Sequence, residues 1–121
     1  MATTIACNGS VVITADGYAV ASYSLSKVLT MVGNKSIQAL QLLALGSYQA
    51  LNLGALATCG KLFVINLDTT NYVELSMSAD STKKFCKIRA GDFAILEPSA
   101  LAVYGQPNTA AVSLLIIGGE V

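Results

Sequence analysis

Seven carboxylates are the side chains of this sequence with the widest chemical reach: Asp16, Asp68, Glu74, Asp80, Asp92, Glu97 and Glu120. Two of them side by side could act as acid and base in glycoside hydrolysis, and aspartates gathered from loops could hold calcium. The spacing favours neither. Asp16, Asp68, Asp80 and Asp92 fall in stretches that read as turns, where Asp recurs because its side chain hydrogen-bonds its own backbone. No EF-hand spacing links them. Glu74 differs, because it lies inside a strand pattern; with Val73 and Leu75 turned to the core, it faces solvent or a partner. The chain has no histidine, the commonest general base and a principal metal ligand. Ser–His and Cys–His nucleophile pairs are therefore excluded, and so is the His-held metal typical of cupin barrels. Cys7, Cys59 and Cys86 are odd in number and widely spaced, without a CxxC; they read as free, buried, small apolar residues. The expectation is a protein that is not an enzyme, with no catalytic, cofactor or metal site.

Charge narrows the choice further. Seven basic and seven acidic residues cancel, and charged residues make up 12% of a chain that is 54% hydrophobic, against about 25% charged in an average globular domain. A folded monomer of 12.5 kDa exposes about 6,000 Å², and fourteen charges cover that area thinly. Either Ser, Thr, Asn and Gln keep the surface wet or neighbouring molecules bury much of it, as in obligate interfaces. Lys83, Lys84, Lys87 and Arg89 cluster around one turn and read as a solvated loop. The aromatic residues Tyr18, Tyr23, Tyr48, Tyr72, Tyr104, Phe63, Phe85 and Phe93 mostly lack a basic neighbour, so no nucleic-acid surface is expected. The longest helix-compatible apolar stretch, 37–45, is too short to span a membrane and contains Gln38 and Gln41. The N-terminal MATTIACNGS lacks the basic region and apolar core of a signal peptide, so synthesis in the cytoplasm is expected, where unpaired thiols stay reduced.

The elements that would position these residues are short strands. Runs at 10–14 (SVVIT), 19–25 (AVASYSL), 27–32 (KVLTMV), 47–53 (SYQALNL), 61–67 (KLFVINL), 72–77 (YVELSM), 84–88 (KFCKI), 93–96 (FAIL), 101–104 (LAVY) and 110–117 (AAVSLLII) are separated by turn chemistry. The turns include Asp16-Gly17, a hairpin dipeptide, Gly33-Asn34, 68–71 (DTTN), 89–92 (RAGD) and Gln106-Pro107-Asn108. Residues 37–45 fit a helix or a strand. Punctuation every 8–12 residues without a helical stripe predicts a single all-β domain over 1–121, an antiparallel β-sandwich or jelly-roll-like barrel of about eight to ten strands. The strands around Phe63, Tyr72, Phe93, Tyr104 and 114–117 are expected to form the core, and the apolar first half to supply intersubunit surface.

The stretches ALNLGALATCGKLFVINLDTTNYVEL and KKFCKIRAGDFAILEPSALAVYGQPNTAAVSLLII, between Ala50 and Ile117, carry a resemblance. The pattern resides in Asn66, Leu67, Asp68, Asn71, Tyr72, Val73 and Glu74, then Lys87, Ile88, Gly91 and Asp92, then 108–111 (NTAA). It resembles small uncharacterised structural proteins of tailed bacteriophages. It covers a little over half the chain and departs at Asp92, where Glu is more usual, and at Cys59, where Pro is. The resemblance implies a virion component; Asn66 and Asn71 would bracket a tight turn through their tolerance of left-handed backbone.

Three functions follow as readings to weigh. The first is a virion structural protein of a phage, partnered by itself as a homo-oligomer and by other virion proteins such as the major capsid protein. Capsid decoration is favoured over a tail or neck role, because a sandwich with no coiled coil or repeat suits it. The second is a carbohydrate-binding β-sandwich module, disfavoured by the absence of Trp. The third is a hydrolase built on two carboxylates.

Overall fold

In the computed structural model, residues 4–31, 35–54, 56, 59–98 and 102–120 are described, residue 20 by its backbone alone. The strands are β1 (Thr4–Ala15), β2 (Tyr18–Thr30), β3 (Ser36–Leu43), β4 (Gln49–Ala50), β5 (Lys61–Asn66), β6 (Val73–Ser76), β7 (Lys84–Ile88), β8 (Phe93–Leu96), β9 (Tyr104–Pro107) and β10 (Val112–Gly119). A 3₁₀ turn at Ser81–Lys83 precedes β7. The chain is all-β, as its turn spacing predicts. Two four-stranded antiparallel sheets, β3-β10-β5-β8 and β4-β9-β6-β7, pack face to face, and β1 and β2 form a separate two-stranded hairpin.

Period-2 alternation sets the sandwich core. On β10, Val112, Leu114 and Ile116 point inward; on β5, Leu62 and Val64 do so, and on β6, Val73 and Leu75. Leu43, Ile88 and Val103 complete a fully buried aliphatic cluster. The strands expected to form the core do so, β5, β6 and β10 through buried aliphatic residues and β8 through Ala94 and Leu96 packed against them, but their aromatic residues are not its anchors. Phe63 and Tyr72 are half-buried, Phe93 is exposed, and of residues 114–117 only Leu114 and Ile116 are buried. Phe63 and Phe93 belong to the odd-numbered register of their strands, which faces away from the second sheet.

Several boundaries also differ, each for a local reason. Runs 19–25 and 27–32 are one strand through Thr30, since Ser26 is no turn: its hydroxyl donates to Asn8 Oδ1 across the hairpin at 2.6 Å. Residues 32–34 lie outside the described part. The ambiguous 37–45 stretch is strand β3. Run 47–53 shrinks to Gln49–Ala50, because side chains take over the ladder. Gln41 Nε2 donates to the Ala50 carbonyl and its Oε1 accepts from Asn52 N, at 2.9 and 2.7 Å. The run 101–104 is replaced by Tyr104–Pro107 (Leu101 lies outside the described residues). Gly105 is a packing glycine and not a stop: a Cβ there would sit 2.9 Å from Leu43 Cδ1 and 3.4 Å from Leu75 Cδ2, so the two sheets close on it.

A polar clasp ties the β5–β6 turn to the β9–β10 turn. Asn66 is fully buried at the end of β5. Its Nδ2 donates to the carbonyls of Asn71 and Ile88, at 2.8 and 3.1 Å, and its Oδ1 accepts from Asp68 N at 2.9 Å. Asp68 Oδ2 accepts from the amides of Thr70 and Asn71. Asn108 Oδ1 accepts from Tyr72 N, and Thr109 Oγ1 donates to Asn71 Oδ1. Asn66, Asp68, Asn71, Tyr72 and Asn108, all singled out in the sequence, thus meet here. Their role is side-chain hydrogen bonding and not left-handed backbone: among the described non-glycine residues only Asp16 has positive φ.

Replacing Asn66 by Leu leaves two carbonyls and one amide without their partner, the Ile88 carbonyl in a buried position and the other two groups in part-buried ones. That should cost about 2–4 kcal/mol, read as a lower urea midpoint with an unchanged slope. An unchanged midpoint would show that the clasp contributes nothing net.

Candidate functional site

The structure scatters the residues with catalytic potential. Asp68 and Asp80 are engaged in their own turns, the latter accepting from the Thr82 hydroxyl and amide and from the Ser78 hydroxyl. Asp92 accepts from the amide of Phe93, and Asp16 opens the hairpin turn. Glu74 faces outward from β6, as its position between buried Val73 and Leu75 predicts, and pairs with Lys84 at 3.1 Å. Glu97 pairs with Lys61 at 2.8 Å, and Glu120 is buried after β10. Within the basic cluster, Lys84 is held by Glu74 and Lys87 lies over the Tyr72 ring, 4.4 Å from its centroid. The three cysteines are free; Cys59 is buried, and Cys7 and Cys86 are half-buried. Burial pushes the Cys59 and Cys86 thiols up, with Glu97 and Asp92 adding to the respective effects, away from the thiolate a nucleophile needs. Among the described residues, no three His, Cys, Asp or Glu side chains are grouped to hold a metal.

What the structure does assemble is apolar surface. The β1–β2 hairpin closes on a two-residue turn, Asp16 at φ 52° and Gly17 at φ 82°, the positive-φ pair of a type I′ turn. Twelve and thirteen residues long, its strands run roughly 40 Å at ~3.3 Å per residue. Neither strand joins either sheet of the sandwich. Directly paired residues share a face. One face carries Ile5, Cys7, Gly9, Val11 and Ile13 opposite Leu29, Lys27, Leu25, Tyr23 and Ala21. The other is rich in Ser, Thr and Asn, with Val12 and Val28 among them.

Only the root of the apolar face is seated. Ile5, Cys7 and Leu29 are half-buried and Met31 is buried. Ile5 rests where the Cβ of Gly119 would be, 2.6 Å from that point to its Cδ1. Strand β10 runs on through Gly118 and Gly119, two residues past the boundary its apolar run suggests, because a bare backbone is the floor of this contact. A cleft of about 550 Å³ lies between the root and the outer side of the sheet, lined by Ile5 and Cys7 against Lys61, Phe63, Ile95 and Ile117. Beyond the root the apolar face is open: Val11 is 62% exposed, Tyr23 70% and Leu25 58%.

The outer face of the β3-β10-β5-β8 sheet is apolar too. Cross-strand pairing aligns Leu40, Leu115, Ile65 and Phe93 in one row and Gln38, Ile117, Phe63 and Ile95 in the next. Phe63 and Phe93 contact one another, with centroids 5.5 Å apart. Leu40 is 72% exposed and Leu42 65%. Of the ionisable side chains on this face, Lys61 lies at the rim, neutralised by Glu97. The whole chain exposes 7303 Å², on the order of 1,200 Å² above the scaling for a compact monomer of its mass.

The turn aspartates set the acid response. Hydrogen bonds from the Asn71 and Thr70 amides hold Asp68 below the usual carboxylate range, and the Thr82 hydroxyl and amide with the Ser78 hydroxyl do so for Asp80. A depressed folded-state pKa stabilises above the unfolded value, near 3.9 for Asp, and that stability is lost as pH falls through the folded value. With no histidine, the thermal midpoint should be nearly flat from about pH 5 to 8 and drop below about pH 4. The Asp68→Asn, Asp80→Asn double variant should show a shallower acid drop; an identical profile would remove these turns as its cause. Comparison with protein-family models, with curated proteins and with solved structures finds no match to this chain.

Proposed function

We propose that this chain is a non-enzymatic structural protein of a phage virion, most consistent with capsid decoration or cementing, that acts by burying apolar surface against copies of itself and other virion proteins. The observation that carries this reading is the projecting hairpin, with Val11, Ile13, Tyr23 and Leu25 open on one face. A two-stranded ribbon is marginal alone in water, and an apolar arm of this length is the form of a part that is finished by its neighbours. The uncovered outer sheet face and the low charge content support the same conclusion. At roughly 25 cal/mol per Å² of apolar area, burial of these surfaces is a large driving force before the costs of association. The resemblance of Ala50 to Ile117 to phage structural proteins supplies the virion setting, and a shell component made in the bacterial cytoplasm accommodates three free thiols.

Light scattering on the purified protein across a concentration series tests this reading. The expected result is a defined multimer that persists on dilution to micromolar concentration. Amide exchange in residues 8–26 should be fast if the arm is free and slowed at least about tenfold in the multimer, since neighbour burial closes local opening. A monomer at every concentration would overturn the self-assembly on which the proposal rests.

A further inference from the structure

We infer that the hairpin arm of one copy docks on the outer sheet face of the next, in a head-to-tail contact between two different surfaces. This rests on the assembly reading above and names its partner: a second copy of this chain.

Three observations lead there. The first is chemical identity with a contact the molecule already makes. The root of the arm seats its apolar face, through Ile5, on the outer side of the β3-β10-β5-β8 sheet at Gly119. The same arm face continues outward as Val11, Ile13, Tyr23 and Leu25, and the same sheet face continues away from the root as Leu115, Leu40 and Leu42. Each half therefore presents apolar surface of the kind that the other half packs against at the root.

The second is that one copy cannot satisfy both. Leu40 and Leu42 remain exposed in the same molecule in which Val11 and Leu25 are exposed. The root is anchored beside Lys61 and Gly119, and residues 8–10 and 24–26 of the arm pass near Phe93, which is on the β8 edge opposite β3. The arm leads away from the half of the sheet that carries Leu40 and Leu42.

The third is size and charge. The area exposed beyond a compact monomer, on the order of 1,200 Å², is of the same order as the about 800 Å² per partner of one standard interface. Asp16 and Lys27 are the charged residues between Thr4 and Thr30. Asp16 lies in the turn at the tip and Lys27 pairs opposite Cys7 near the root, so neither is forced into the middle of the contact.

Because arm and face are different surfaces, the contact is heterologous and propagates until it closes. That property gives the test. One variant carries Val11→Lys and Leu25→Lys on the arm; another carries Leu40→Lys and Leu42→Lys on the sheet. All four positions are more than half exposed, so both variants should keep the wild-type circular dichroism spectrum. Each alone should associate about 100-fold or more weaker than wild type and run as a monomer. Mixed in equal amounts, they retain one intact arm and one intact face between them and should form a dimer and nothing larger, which also shows both to be folded. If the sheet variant assembles like wild type, the arm docks elsewhere and the inference fails while the assembly reading stands. The same holds if the mixture stays monomeric. If wild type itself is monomeric, both fall together.

Discussion

One sheet of this protein is apolar on both sides, and most of its structure answers to that. The strands β3, β10, β5 and β8 turn Leu43, Leu114, Ile116, Leu62 and Val64 toward the second sheet. They turn Leu40, Leu115, Ile117, Phe63, Ile65, Phe93 and Ile95 the other way. An antiparallel sheet with one wet face alternates apolar and polar residues; here β5 and β10 read as nearly continuous apolar runs. Such a sheet needs cover on both sides. The second sheet supplies one cover in full. The root of the hairpin supplies the other in part, by laying Ile5 on Gly119.

The opposite tendency operates at the ends of the sandwich, where polar side chains are paired with backbone. Asn66 is fully buried yet makes three hydrogen bonds, so it holds two turns in register without leaving an orphaned group. Gln41 does similar work beside β4 by bonding the backbone of Ala50 and Asn52. Short amide side chains thus replace stretches of regular ladder, and charge is spared for ion pairs such as Glu74 with Lys84 and Lys61 with Glu97.

The fold class was legible from the sequence because turn residues and period-2 runs are local signals. The strands β7 and β8 match their runs residue for residue. The Asp16-Gly17 hairpin was equally clear, as its positive φ values need those residue types. Less visible was which side of a strand faces the core. Phe63 and Phe93 look like core anchors on hydrophobicity alone, yet the apolar residues on either side of Phe63, Leu62 and Val64, are the buried ones. In a sheet with two apolar faces, alternation no longer tells inside from outside. One glycine misled similarly: Gly105 is read from sequence as a stop, whereas the structure uses it, like Gly118 and Gly119, as a place where another chain segment comes close. The arm was only half legible. Its strands show in SVVIT and AVASYSL, but no residue type announces that a hairpin will leave the body that follows it.

The glycine beneath Ile5 has a mechanical corollary. A side chain in a socket of other side chains is locked at one angle. An isoleucine resting on bare backbone, with Met31 beside it, is held instead by its height above that backbone, so any side chain at position 119 would lift the root of the hairpin off the sheet.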